Sequence, residues 1–346
     1  MRSKVEHLMR SAFQLKASDV HLTAGVPPIL RINGALKRYG KENLVPEELE
    51  EMAKNIIDPI RWGDFKEKGE FDFSYAVEGL SRFRVNAYHQ RGSISIAIRI
   101  VPTKIPSLED LKLPEVLKTI ATKSQGLVLV TGPTGSGKST TLASMIDFMN
   151  RTASRHIITL EDPIEYLHRH GSCIIDQREV GFDTHSFANG LRASLRQDPD
   201  VILVGELRDL ETIHTAITAA ETGHLVLATL HTSSAPATIN RIIDVFPAAQ
   251  QEQIRVQLSS VLVSVISQRL LPTTDLQNRT CATEILMNNP AVSNLIRSEK
   301  IHQIPNVMQT SRSLGMHTLA QSVNELLQAG VITKKVAEPY VNEAVS

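Results

Sequence analysis

One short segment near the middle of the chain limits what this sequence can fold into. Residues 132–140 read Gly-Pro-Thr-Gly-Ser-Gly-Lys-Ser-Thr, which matches the G-x-x-x-x-G-K-S pattern of a phosphate-binding loop. An apolar run at 127–130 precedes the loop as a predicted buried strand, and residues 141–146 follow it as a predicted helix. The motif requires that order of strand, loop and helix. The segment therefore predicts an α/β fold that binds a nucleoside triphosphate.

The loop also predicts which of its groups contact phosphate and metal. Backbone N–H groups of a glycine-rich turn and of the following helix N-terminus point toward phosphate oxygens. We expect Lys138 to reach the β- and γ-phosphates of ATP, and the Ser139 hydroxyl to bind Mg²⁺. The predicted nucleotide-binding residues of the loop are Thr134, Gly135, Ser136, Gly137, Lys138, Ser139 and Thr140.

Composition argues against several classes of protein. Lysine plus arginine and aspartate plus glutamate each number 37, so net charge gives no reason to expect nucleic acid as a partner. Cys173 and Cys281 lie far apart, which predicts buried thiols in a reducing cytosol rather than a disulfide framework. No apolar run reaches the roughly 18 residues of a membrane span. We therefore expect a cytoplasmic protein without direct membrane insertion, for which any association with the inner face of the membrane would come through a partner.

The hydrophobic pattern changes along the chain and predicts two domains. Residues 1–100 begin with an amphipathic helix and continue with short alternating strands, which favours a small α+β domain. Residues 101–115 carry spaced prolines and form a predicted linker. In residues 116–346 strands alternate with helices, as in a parallel sheet covered on both faces. From about residue 247 we predict helices only, including one long helix over Gln253–Leu271.

A predicted hairpin at residues 82–100 collects arginines on one face. Apolar side chains alternate along both of its strands and face one way. Arg82, Arg84 and Arg99 then fall on the opposite face, close together across the hairpin.

Two predicted strands end in acidic side chains. Strand 201–204 leads to Glu206, and ligands of parallel sheets bind at the carboxyl ends of the strands. We therefore expect Glu206 to hold Mg²⁺, directly or through water. Strand 157–160 is followed by three carboxylates, Glu161, Asp162 and Glu165. One of them is a candidate base for the attacking water, and spacing alone does not decide which.

Two histidines bracket the predicted strand 225–230. His224 precedes it and His231 follows it. A histidine at a strand end can contact a γ-phosphate or relay its presence to a neighbouring subunit, and it can equally be a structural hydrogen-bonding residue. As a metal site the pair is a poor match, because no further ligands come at suitable spacing.

These elements, in this order, resemble the secretion ATPase superfamily, the motors of type IV pili and type II secretion. Residues 161–166 are similar to its Asp box, and the resemblance implies that Glu165 activates the attacking water. Glu206 matches the Walker B motif, and residues 222–235 are similar to the His box, with His224 and His231 at its two positions.

The first domain carries part of the same resemblance. Residues 16–21 are similar to the opening of the PAS-like domain of the family. By that match Arg84 and Arg99 reach a nucleotide across a subunit interface, and Arg82 is a neighbour that shares the task. The fold implied is a RecA-like ATPase core with a mostly parallel sheet, preceded by a PAS-like α+β domain.

Within the superfamily nearly the whole chain is most similar to the PilT-type retraction ATPases of type IV pili. Residues 176–181, 205–212 and 219–224 carry this likeness. It implies a homohexamer that hydrolyses ATP with Mg²⁺ and closes about the 101–115 linker. It also implies that the motor acts on an inner-membrane platform protein and drives pilus retraction and twitching motility.

One stretch departs from that pattern. Retraction motors carry a C-terminal Ala-Ile-Arg-Asn-Leu-Ile-Arg-Glu motif, and the matching residues 291–298 have Ser293 for its first arginine and Ser298 for its acid. Arg297 is kept, and Glu299 lies one place beyond. The departure leaves one alternative open, a motor for pilus or competence-pseudopilus assembly. A separate alternative, from another class of function, is a low-turnover accessory ATPase acting as a nucleotide switch.

Overall fold

The fold was analysed in a computed structural model, which describes residues 4–341. The described chain forms two compact units. The first extends to Lys104 and also includes the short segment Glu165–Leu167. The second comprises Ile105–Ile164 and the described residues from His168 onward.

The described residues of the first unit form a six-stranded antiparallel sheet with three helices. The sheet has the order β3-β2-β1-β6-β5-β4. Its elements are α1 (Lys4–Gln14), β1 (Asp19–Leu22), β2 (Ile29–Ile32), β3 (Ala35–Arg38), α2 (Pro46–Ile56), α3 (Trp62–Lys68), β4 (Glu70–Val77), β5 (Ser81–Gln90) and β6 (Ser93–Ile100).

The β5–β6 hairpin divides its side chains between core and solvent as predicted. Val85 lies opposite Ile98, and both are buried. Arg84 lies directly opposite Arg99, and both are exposed. Because side chains alternate along a strand, the register that buries the apolar set puts the arginines on the outer face.

The second unit contains a seven-stranded sheet of the order β13-β12-β7-β11-β10-β8-β9. All pairs are parallel except β12 with β13. The elements up to the last parallel strand are α4 (Val116–Ala121), β7 (Gly126–Thr131), α5 (Lys138–Thr152), β8 (His156–Glu161), β9 (Ile174–Glu179), α6 (Phe187–Ser194), β10 (Val201–Val204), α7 (Leu210–Glu221), β11 (Leu225–Leu230), α8 (Ala235–Asp244), α9 (Ala248–Val261) and β12 (Leu262–Pro272). The remainder are β13 (Arg279–Met287), α10 (Pro290–Arg297), α11 (Ile304–Thr310), α12 (Leu319–Gln328) and α13 (Lys334–Val341).

The fold class predicted from the sequence is confirmed, including four predicted strands of the parallel sheet. These strands are β7, β8, β10 and β11, and every residue of β7, β10 and β11 is buried. Strands covered on both faces need continuous apolar runs, and this is the pattern that the sequence shows at 127–130 and 201–204.

The predicted helix over Gln253–Leu271 is wrong in its second half. Helix α9 ends at Val261, and the chain continues as strand β12. β12 lies parallel to β7 and antiparallel to β13, so both of its edges are hydrogen-bonded. The prediction failed because a short apolar run interrupted by serines fits both a helix and a buried strand. The prediction of helices only from about residue 247 is wrong as well, because β12 and β13 of this part belong to the sheet.

Two general properties of the chain concern membranes and thiols. Between Lys4 and Val341, no helix combines the length and the apolar character that crossing a membrane requires. Cys173 is buried, Cys281 is partly buried, and neither forms a disulfide. Burial raises the pKa of the Cys281 thiol to about 12, so this thiol stays protonated at neutral pH.

Candidate nucleotide-binding site

The phosphate-binding loop connects β7 to α5 through two glycines that the backbone requires. Gly132 has a φ of 141°, and a Cβ there would lie 2.5 Å from the carbonyl oxygen of Gln268 and 2.6 Å from Ser136 Oγ. Gly137, which precedes the first residue of α5, has a φ of 90°. Both positions therefore exclude larger residues, since only glycine adopts such conformations without strain.

Lys138 is folded back onto its own loop. Its Nζ donates hydrogen bonds to the carbonyl oxygens of Gly132, at 2.8 Å, and Pro133, at 3.1 Å. Burial lowers the pKa of Lys138, the positive charge of Arg269 lowers it further, and the negative charge of Glu206 opposes them. Both charged groups thus belong to the electrostatic surroundings of the loop.

The other predicted residues of the loop differ in exposure. Thr134, Gly135 and Ser139 are exposed, whereas Ser136 is buried. The carbonyl oxygen of Ser136 accepts a 2.8 Å hydrogen bond from Gln268 Nε2. The loop is therefore fixed from below by β12 while its outer residues face solvent.

Glu206 and His231 meet at the carboxyl ends of two neighbouring strands. Glu206 follows β10, and its side chain is 19% exposed. Arg208 Nε donates to its Oε2 at 2.7 Å, and His231 Nε2 lies 3.3 Å from its Oε1. Strands β7, β11 and β10 are parallel neighbours. The residues that follow β10 and β11 therefore lie at the same end of the strands as the phosphate-binding loop after β7.

The acidic segment after β8 separates into inner and outer carboxylates. Glu161 accepts hydrogen bonds from Thr159 Oγ1, at 2.7 Å, and from Gln177 Nε2, at 3.0 Å. Asp162 and Glu165 are exposed. Glu161 is thus tied to β8 and β9, and Glu165 is the more accessible of the two glutamates.

His224 lies at the opposite, amino-terminal end of the parallel strands. It precedes β11, whose six residues run parallel to β7 with Leu225 opposite Gly126. At about 3.3 Å per residue, His224 is roughly 20 Å along the strand from the end that carries His231. Its Nδ1 lies 3.0 Å from the carbonyl oxygen of Ala219. The structure does not bring His224 to the phosphate-binding loop of its own chain.

The predicted arginines of the first unit belong to a charged row across its sheet. Arg84 lies opposite Arg99, which lies opposite Asp19, which lies opposite Arg31. Arg99 Nε donates to Asp19 Oδ1 at 3.0 Å. Arg82 is partly exposed, two residues from Arg84 and therefore on the same face of β5.

The charge of Asp19 is maintained by this row. Partial burial raises the pKa of Asp19, but hydrogen bonds from Ser18 and Arg99 and the charge of Arg99 outweigh it, so the pKa is lowered. Asp19 lies 3.0 Å from Arg99 Nε and 3.8 Å from Arg31 Nε, and its single negative charge leaves the three arginines of the row with an excess of positive charge. Like charges directly opposite each other, such as Arg84 and Arg99, destabilise a sheet. This face is suited to an anion.

Sequence reasoning missed Gln268 and Arg269, two residues of β12 beside the loop. Arg269 Nη1 donates to the carbonyl oxygen of Gln268 at 3.0 Å. Both lie in the segment whose sequence pattern predicts a helix. Only the pairing of β12 with β7 places them here, and no local pattern in the sequence carries that information.

The stretch that departs from the retraction motif lies on α10 and packs against α9. Ser293 Oγ donates to the carbonyl oxygen of Ser259 at 2.9 Å, and Arg297 Nη1 lies 3.4 Å from Ser259 Oγ. Glu299 forms a 3.1 Å ion pair with Arg255. The serine and the displaced acid therefore both have partners at the contact between these helices.

A parallel sheet with this loop and with Glu206 at the same, carboxyl end of the strands defines a P-loop ATPase. The family model for "Type II/IV secretion system protein" matches residues 2–343. The chain belongs to that family.

Individual relatives match over similar lengths. The "Type IV pilus retractation ATPase PilT" of Pseudomonas aeruginosa is 48% identical over 328 residues, which cover 94% of this chain and 95% of that protein. A "Twitching motility protein" of Neisseria gonorrhoeae is 46% identical over 329 residues, or 93% of this chain and 88% of that protein. A crystal structure of the pilus retraction motor PilT with bound ADP superposes with a TM-score of 0.90 at 48% identity and covers 98% of this chain and 97% of that one.

Proposed function

We propose that this protein is an ATP-hydrolysing motor that drives retraction of type IV pili and thereby twitching motility. One observation carries the proposal. The phosphate-binding loop, Glu206 and His231 lie together at the carboxyl ends of the parallel strands. The chain that carries them matches a retraction ATPase over nearly the full length of both proteins. The activity of the relative is transferred here together with its whole architecture.

The Ser139 hydroxyl and the Glu206 carboxylate are the proposed ligands of Mg²⁺, directly or through water. Oxygen donors of this kind are the ligands that Mg²⁺ prefers, and Ser139 is exposed at the start of α5. The negative charge of Glu206 acts on Lys138, so the carboxylate and the loop are electrostatically coupled. An ion held by these two residues would supply positive charge against the phosphates.

Protein groups then divide the remaining work. Lys138 exchanges the carbonyl oxygens of Gly132 and Pro133 for phosphate oxygens, which are stronger acceptors because they are charged. Glu165 orients the attacking water and accepts its proton. His231, whose Nε2 lies 3.3 Å from Glu206 Oε1, keeps that carboxylate in place and would contact the terminal phosphate.

The arginines of the first unit act in a homohexamer. Arg84 and Arg99, with Arg82 beside them, reach a nucleotide across a subunit interface, and His224 relays the nucleotide state to a neighbouring subunit. An arginine supplied in this way is worth roughly 10³–10⁵ in rate. Residues 101–115 are the hinge of domain closure, and an inner-membrane platform protein receives the motion.

Hydrolysis by purified protein tests the enzymatic part of this proposal. We expect steady-state ATP turnover by the full chain, and loss of ATP binding in Lys138→Ala because the loop loses its only lysine. Lys123→Ala, an exposed lysine of the same unit, is the control and keeps both properties. Tight ATP binding without turnover in the unaltered protein would instead support the nucleotide-switch alternative.

A further inference from the structure

Arg269, a residue of β12, contacts the loop that carries His231 and follows Gln268, which holds the phosphate-binding loop. Its Nη1 donates to the carbonyl oxygen of Gln268 at 3.0 Å, the same oxygen that excludes a Cβ at Gly132. Its Nη2 donates to the carbonyl oxygen of Ser233 at 3.3 Å. One guanidinium therefore joins β12, which holds the phosphate-binding loop, to the segment that follows β11.

The loop 231–234, between β11 and α8, is held at two points by the β12–β13 hairpin. Arg269 holds Ser233, and Glu284 Oε1 accepts a 2.7 Å hydrogen bond from the backbone N–H of Ala235, the first residue of α8. Burial raises the pKa of Glu284, while backbone hydrogen bonds and the charge of Arg269 oppose that effect. His231, at the start of the loop, lies against Glu206. Arg269 is thus connected through this loop to Glu206 on one side and to α8 on the other.

The two hydrogen bonds of Arg269 are made to neutral acceptors. A guanidinium stays charged at every physiological pH and has five N–H donors, and it binds phosphate oxygens more strongly than neutral carbonyl oxygens. The contact with Ser233 is also longer than the usual N–H···O distance of about 2.9–3.0 Å. Phosphate oxygens within reach of this guanidinium would therefore be stronger partners than the two carbonyl oxygens.

We propose that Arg269 senses the terminal phosphate: it binds that phosphate in the triphosphate state and releases Ser233, which frees the loop 231–234 to move. After hydrolysis and loss of phosphate, Arg269 returns to Ser233. The inference rests on the proposed function, because it assigns a further nucleotide-binding residue to the same site. It gives the chain a link from nucleotide state to α8 that needs no second subunit.

Nucleotide affinities of the full-length Arg269→Gln protein test this inference. The probes are a non-hydrolysable ATP analogue and ADP, each with Mg²⁺. We expect affinity for the analogue to fall by about tenfold or more, the effect of one charge-assisted hydrogen bond, and affinity for ADP to change by less than about twofold. Arg279→Gln, an exposed arginine at the start of β13, is the matched control and changes neither.

Hydrogen exchange of the amides of residues 231–235 supplies a second readout. In the unaltered protein the ATP analogue, but not ADP, increases exchange in this loop, and in Arg269→Gln exchange no longer depends on the analogue. If Arg269→Gln fails to fold, Arg269→Lys is measured in its place. It keeps the positive charge, and we expect it to preserve part of the preference for the ATP analogue over ADP.

Equal losses of affinity for both nucleotides, or no loss for either, overturn the inference while leaving the proposed function intact. Failure of the unaltered protein to bind the ATP analogue overturns the proposed function, and the inference with it.

Discussion

The two carboxylates assigned to hydrolysis differ in their surroundings. Glu206 is mostly buried, and Arg208 and His231 contact its two oxygens, so its orientation is fixed. Glu165 is exposed. A metal ligand benefits from a fixed orientation, because outer partners hold it toward the ion. A general base must instead reach a water molecule. The surroundings therefore favour Glu206 as the metal ligand and Glu165 as the base.

We predict that Glu165→Gln keeps ATP binding and loses turnover. The amide is nearly isosteric but cannot accept the proton, and loss of a general base reduces rates by roughly 10²–10⁴. Steady-state hydrolysis and ATP binding are measured on the same preparation. Glu161→Gln is the matched control and retains most activity, since Glu161 is tied to Thr159 and Gln177. A near-normal Glu165→Gln beside an inactive Glu161→Gln would transfer the role to Glu161.

At the level of elements, the edge of the parallel sheet contains a titratable contact. His156, at the start of β8, has its Nε2 3.0 Å from Asp176 Oδ2 of β9 and its Nδ1 3.0 Å from the carbonyl oxygen of Asp198. Burial lowers the pKa of His156, but the hydrogen bonds to Asp176 and Asp198 and the charge of Asp176 outweigh it, so the pKa is raised. A raised folded-state pKa stabilises the fold below the ordinary histidine pKa of about 6.5, and this stabilisation is lost as pH rises through the folded-state value.

We therefore predict that Asp176→Asn destabilises the protein in acid more than in base. The variant loses the partner of the protonated histidine, so its Tm falls below that of the unaltered protein at pH 6. At pH 8.5 the two proteins have nearly the same Tm, because His156 is neutral there. Thermal unfolding at both pH values provides the measurement. An equal difference at both would show that the contact is not linked to protonation.

The sequence predicted an element correctly where the residues of that element alone carry a diagnostic motif or hydrophobic pattern. Strand β7, the phosphate-binding loop and α5 follow from one motif, and the β5–β6 hairpin follows from its alternation. Strand β12 could not be predicted, because its identity depends on hydrogen bonds to β7, which lies more than a hundred residues earlier. Gln268 and Arg269 were missed with it. The separation of Glu161 from Glu165 likewise required the contact with Gln177 on β9.

For the whole molecule, we expect ATP hydrolysis to depend on assembly of the oligomer. The candidate arginines belong to the first unit, and the phosphate-binding loop belongs to the second. Arg84 and Arg99 lie opposite each other on an exposed face, an arrangement that an anion stabilises. We propose that this anion is the nucleotide of a neighbouring subunit.

We predict that Arg84→Ala reduces hydrolysis by at least about 10³ while the oligomer stays assembled. Turnover per protomer and molar mass by light scattering are measured together. Arg38→Ala removes an exposed arginine from β3 of the same sheet, and it changes neither quantity. Dissociation of the oligomer in Arg84→Ala would assign this arginine to the interface itself rather than to catalysis.

The proposed direction of the motor is tested most directly by counting surface pili by electron microscopy. Cells of the source organism are compared with and without this gene, and with the gene restored. Retraction predicts more pili in the deletion strain, together with loss of twitching motility, and restoration reverses both. Cells without pili would show that the motor assembles them, and the proposed direction would be wrong.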